Sequence, residues 1–274
     1  MLAGMFALAC MDAISKYLST RYAIPQILLV RFVMFTLFAL ALMRPRSLRA
    51  AFRTHHPYLQ IARSLVITVE VGVFVLAFRY LPLAEVHAIA GIAPLLVTAM
   101  AAPVLGERVG LRRWIAVCVG FVGLLVILRP GFAVLDPAAL IPVLGALLWA
   151  VYQILVRRVS RDSAATSLLY MAVVGLLVMS VLTPFVWKAP DATGWALLLL
   201  LGAVACAAHY ILIQAYRFAP ASVLQPFHYT VLIWVTIIGY LVFGNFPDGW
   251  TIGGGLVVVA GGLYALHRQR VKQA

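Results

Sequence analysis

Ala77-Phe78-Arg79-Tyr80-Leu81-Pro82 and Ala215-Tyr216-Arg217-Phe218-Ala219-Pro220 are two versions of one phrase, and their arginines, 79 and 217, stand 138 positions apart. At that offset Val97-Thr98 meets Val235-Thr236, Gly106 meets Gly244, Val119 meets Val257 and Gly123 meets Gly261. Leu125 and Leu128 meet Leu263 and Leu266 in the same register. Arg, Pro, Thr and Gly are among these matches, so shared hydrophobicity does not account for them. Twice the offset is within two residues of the 274-residue length, so the repeat is half the chain.

What each half is made of follows from composition. The chain is 65% apolar and only 11% charged, with a mean hydropathy of +1.05, where soluble domains carry about 25% charged residues. Such a chain cannot cover a water-facing surface. A bilayer-spanning helix needs about 20 apolar residues, and the apolar runs give ten: 1–18, 25–43, 59–80, 83–105, 111–128, 137–157, 165–187, 194–217, 221–244 and 248–267. The runs are continuous rather than alternating, which argues against a membrane barrel. The first run lacks a basic leader and a clean cleavage site and reads as a span. The expected fold is all-α, with ten transmembrane helices in two five-helix repeats, 1–134 and 135–274, forming one membrane domain.

Five is odd, so the second copy starts on the opposite side of the membrane and must be inverted. Charge agrees. With the N-terminus in the cytoplasm, fifteen of the 21 Lys and Arg fall on the cytoplasmic side, among them Arg44 to Arg53, Arg63, Arg157 and Arg158. Five fall outside and Arg31 lies within a span. The positive-inside rule therefore puts both termini in the cytoplasm. It also explains the net charge of +13 without nucleic acid. Cys10, Cys118 and Cys206 have no metal spacing and read as packing residues.

Inverted halves are the architecture of secondary transporters, which alternate access to a midplane site. Ordered along the chain are Ile24-Pro25-Gln26 with Val30-Arg31-Phe32, the turn before Ala84, Leu105-Gly106-Glu107-Arg108 and Gly120-Phe121-Val122-Gly123. Phe243-Gly244-Asn245 and the glycines from Gly253 to Gly262 follow in the second copy. In these motifs and their order the sequence resembles the EamA family of the drug/metabolite transporter superfamily over essentially its whole length. It departs from the family's Gly-Glu at Asn245. The resemblance implies a bacterial inner-membrane exporter of small metabolites, most like the aromatic amino-acid exporters. Other cargoes of the superfamily, drugs or nucleotide sugars, are the alternative.

Ionisable residues within spans are costly and therefore functional candidates. Asp12, Arg31 and Glu70 are candidate coupling or structural charges, and Asp12 could pair with Lys16 one helical turn away. His87, Gly91, Pro94 and Thr98 form one stripe of the fourth span. Gln225, Tyr229, Leu232 and Thr236 are its counterparts in the ninth, with His228 beside them and Trp234 deeper in that span. With Trp149 and Tyr152 of the sixth span and His209, Tyr210 and Gln214 of the eighth, they are expected to line a substrate cavity. Close helix packing is the structural alternative for the stripe. Trp114, Trp187, Trp195 and Trp250 read as interfacial belt residues, and the glycines of spans five and ten as close helix contacts. An intramembrane enzyme would need a Ser elbow or a His-Glu-x-x-His pair, and neither occurs. A channel is the second rival. The reading is a transporter, not an enzyme, without cofactor or metal, probing a small-molecule partner from within the lipid bilayer as a monomer.

Overall fold

The computed structural model describes residues 1–42, 54–106, 110–128, 137–159, 162–218, 224 and 227–271. The Arg44–Arg53 loop, Glu107, Gln225 and Pro226 lie outside them. The described chain is helical: α1 Leu2–Ser19, α2 Ile24–Leu42, α3 Pro57–Tyr80, α4 Leu83–Ala90, α5 Ala93–Leu105, α6 Leu111–Leu128, α7 Leu140–Arg158, α8 Ala164–Leu182, α9 Ala192–Phe218, α10 Val231–Phe243 and α11 Gly249–Val271. No strand occurs among the described residues. Six segments are long and apolar enough to cross a membrane, and Trp114–Leu128, Val231–Phe243 and Gly249–Tyr264 are shorter apolar helices.

Helix packing repeats the sequence symmetry. α3 packs on α7 as α9 packs on α1, α3 on α8 as α9 on α2, and α5 on α7 as α10 on α1. Two contacts map onto themselves, α2 with α8 and α6 with α11. Exchanging the two repeats leaves this scheme unchanged.

The α6–α11 contact is the tightest. A side chain on Gly123 would come within 2.8 Å of the Gly254 carbonyl and 3.0 Å of the Val258 nitrogen. Its repeat partner Gly261 faces the Ala116 carbonyl at 3.1 Å and the Gly120 nitrogen at 3.3 Å. At the 138-residue offset Ala116 corresponds to Gly254 and Gly120 to Val258, so the two contacts are copies of each other. Small residues permit this approach between backbones, as the sequence suggests. The helices before them also end alike. Gly106 closes α5 and Gly244 closes α10, each with φ of 68°, a left-handed cap that glycine adopts without steric cost.

Several hydroxyls inside the bundle are satisfied by their own helices. Ser15, Ser64 and Thr68 donate to carbonyls one turn back at 2.7–2.9 Å, which suits hydroxyls away from water. Lys16 caps α3 instead of pairing with Asp12: its Nζ donates to the carbonyls of Phe78 and Leu81, both at 2.6 Å. Large apolar side chains face outward, among them Leu177, Val181, Leu241 and Leu256, as a surface bathed in lipid tails allows. Trp114, Trp187, Trp195 and Trp250 are likewise exposed.

Candidate functional site

The fourth span is not the continuous helix expected over 83–105. It breaks after Ala90, turns through Gly91 and Ile92, and resumes at Ala93. Pro94, near the start of the second piece, has no N–H to give to the Ala90 carbonyl, which weakens the ladder there. The ninth span turns at Tyr229 and Thr230 before α10 begins. These are the same positions at the 138-residue offset. The backbone is the same too: Ile92 has φ −71° and ψ −17°, and Thr230 φ −67° and ψ −15°. Leu232 stands where the first copy has Pro94, so proline alone does not make the break. Broken helices at corresponding points of two repeats free backbone groups and mark the midplane sites of transporters.

Beside the first break lies a group of charges. His87 Nε2 stands 3.0 Å from Asp12 Oδ2 across α4 and α1, and its ring stacks on Phe78 with centroids 5.8 Å apart. Arg31 of α2 interacts electrostatically with both Asp12 and Glu70. It lies deep in the bundle yet retains accessible surface. His209 of α9 is within the field of Arg31. It meets Phe35 edge-on at 5.3 Å, and its Nδ1 stands 2.8 Å from the Ala205 carbonyl. Asp12, Arg31, Glu70, His87 and His209 thus form one centre built from α1 to α4 and α9.

The remaining expected lining residues fall into separate groups. Trp149 and Tyr152 adjoin each other on α7 at 5.5 Å. Trp234 meets Phe6 of α1 edge-on at 5.2 Å, and its buried Nε1 has no protein partner. The Tyr229 hydroxyl, also buried without a partner, lies against Gly262 of α11. Gly91 faces Val258 of the same helix, where an added Cβ would stand 3.1 Å from Cγ1. Thr98 donates to the Pro94 carbonyl at 3.0 Å, as Thr236 does to Leu232 at 2.7 Å, so both hydroxyls serve their own helices. Tyr210 is exposed and meets Phe38 at 6.3 Å. Gln214 and His228 are half-buried, and Gln225 lies outside the described residues.

Sequence reasoning missed a third group at the basic end. Arg63, counted there with the cytoplasmic charges, is 3% exposed within α3. It donates to the Ser167 carbonyl at 2.6 Å, with its guanidinium 5.6 Å from the Tyr152 ring centre. Nearby Asp162 accepts from Gln60 Nε2 at 2.8 Å and from the Thr54 hydroxyl. Burial raises its carboxyl, but these hydrogen bonds and those of His55 outweigh it and hold the group down at about 2. A legible signal existed: Arg63 falls one turn inside the expected span 59–80, too deep for a loop charge. Tyr152 in turn interacts with Glu70, so ionisable groups continue from this end to the first break. Among the described residues no three His, Cys, Asp or Glu could hold a metal ion.

Known proteins resemble this chain over nearly all of its length. The family described as the EamA-like transporter family matches residues 1–129 and again 137–266. A riboflavin transporter of Vibrio cholerae is 28% identical over 95% of this chain and 89% of its own. An S-adenosylmethionine uptake transporter of Rickettsia prowazekii is 25% identical over 94% and 88%. The pseudopaline exporter CntI of Pseudomonas aeruginosa is 26% identical over 93% and 90%. A solved chain, described only as a crystal structure of a protein, matches the fold with a TM-score of 0.60 at 20% identity over 99% of both chains.

Proposed function

Because the chain belongs to the EamA-like transporter family, we propose that it carries a small zwitterionic metabolite across the bacterial inner membrane by alternating access. It is a multi-pass membrane protein and a transporter, not an enzyme. The observation behind the mechanism is the matched break at Gly91-Ile92 and Tyr229-Thr230. Equivalent weak points let two five-span halves, 1–134 and 135–274, exchange shapes about an axis in the membrane plane. Both termini face the cytoplasm in this reading, and the working unit is a monomer.

The cargo class follows from chemistry. A zwitterion leaving water must replace its hydration with hydrogen bonds. His87, His209, His228, Gln214 and Gln225 supply them, and Trp149, Tyr152, Tyr229 and Trp234 offer rings to an aromatic body. Amino acids, aromatic ones first, fit this division of labour, and the direction is export. Riboflavin is the second reading, favoured by the printed name of the 28%-identical relative. Counterflow in proteoliposomes decides the matter. Labelled phenylalanine or tryptophan should accumulate against unlabelled solute, and alanine at Trp149, His209, Tyr229 or Trp234 should reduce that exchange with expression intact. Accumulation of riboflavin alone would overturn the amino-acid reading, and leakage without exchange would indicate a pore.

A further inference from the structure

A cleft of about 460 Å³ opens between α3, α7 and α8 at the basic end. Arg63 lines it almost fully buried, with Nε lacking any protein partner. Its other contacts leave the cation undercompensated. The Ser167 carbonyl at 2.6 Å is neutral, and the Tyr152 hydroxyl stands 3.5 Å away, at the edge of hydrogen bonding. Asp162 lines the same cleft but forms no ion pair with Arg63. Its oxygens accept from Gln60, Thr54 and the His55 nitrogen. Arg157 adds a second permanent positive charge at the exposed rim. The rest of the lining is largely apolar, with Val156, Val159, Leu168 and Met171.

Asp162 lies within the field of Arg63, but no described carboxylate bonds to it, and a buried guanidinium so placed is expensive unless something else supplies a bonded anion. We propose that this cleft binds an organic carboxylate, its anionic group held by Arg63 beside Tyr152 and its apolar or aromatic body against Leu168 and Met171. The guanidinium fork suits a planar carboxylate, and the apolar wall disfavours a fully hydrated inorganic ion. The site deepens the carrier reading, and rests on it for its role, by adding a place for cargo at the mouth of the path.

The test is thermal unfolding of the purified full chain in detergent, with phenylacetate, its neutral isostere phenylacetamide, or inorganic phosphate. Phenylacetate should raise Tm with a saturable dose response, and neither of the others should match it. Arg63→Gln should abolish the shift, and Arg63→Lys should weaken binding about tenfold, as loss of one charged hydrogen bond does. Should Arg63→Gln not fold, Met171→Trp fills the cleft without touching the bond to Ser167 and should also abolish the shift. Equal shifts from acid and amide, a matching shift from phosphate, or wild-type binding by Arg63→Lys and Met171→Trp would each overturn the site. A chain that exchanges no amino acid in vesicles would leave this binding intact, and a failed shift would leave the carrier reading standing.

Discussion

The two repeats share a scaffold and differ in chemistry. Their fourth spans break at the same positions, their caps at Gly106 and Gly244 have the same φ of 68°, and their glycine contacts mirror each other. The charges of the buried centre do not repeat. Asp12, Arg31 and Glu70 of the first copy correspond at the 138-residue offset to Ala150, Leu169 and Ala208, all apolar and buried. Backbone geometry is kept in both halves, as the proposed exchange of shapes requires. An ionisable centre inside a membrane is costly to build, and one copy suffices.

Breaking the scaffold should have the largest effect. Gly123→Ala pushes a methyl to 2.8 Å from a backbone carbonyl, whereas Gly261→Ala meets its counterpart at 3.1 Å. Overpacking of this kind costs about 1–3 kcal/mol, so Gly123→Ala should lower Tm clearly and Gly261→Ala less. Equal Tm values for both variants and wild type would sink the view that α6 and α11 hold the halves together. Next come the charges. Glu70→Gln or Asp12→Asn should slow counterflow about tenfold, as loss of a charge-assisted interaction does, with folded yield preserved. Ala208→Ser, the mirror position, should transport like wild type. If the mirror variant is as damaged as the charge variants, chemistry is shared between the repeats after all.

The aromatic side should respond more mildly. Trp234→Phe keeps the edge contact with Phe6 but removes the unpartnered indole N–H, and half-saturation of transport should rise about three- to tenfold. An unchanged value would mean that the N–H faces no solute. The smallest effect concerns the basic end. The Asp162 carboxyl is held at about 2 in the folded chain, below its ordinary value near 3.9. Its stabilising contribution is therefore complete above pH 4 and is lost as pH falls toward 2. Asp162→Asn should lower Tm at pH 5 to 7, and the gap from wild type should close on acidification. A gap that is constant from pH 7 to 3 would exclude the charge as its source.

Much of this molecule could be read along the chain. Continuous apolar runs and scarce charge determined a membrane class, because a helix in lipid must satisfy its backbone within itself. The phrase around Arg79 and its copy around Arg217 determined the two-repeat organisation. Gly106 and Gly244 stood in register in the sequence, and their left-handed caps came from the structure. All of these sequence signals are local or periodic. Tertiary structure alone decided which charges meet. Lys16, one turn from Asp12, left it to cap α3, and His87, 75 residues away, took its place. Arg31, Glu70 and His209 converge from three helices. Arg63, counted from sequence among the basic-end charges, became the cation of a buried cleft. Even the break in the ninth span, where Leu232 replaces Pro94, is visible only in three dimensions. Partners so distant in sequence are chosen by how helices pack, and packing depends on faces of several spans at once, which no single run of residues encodes.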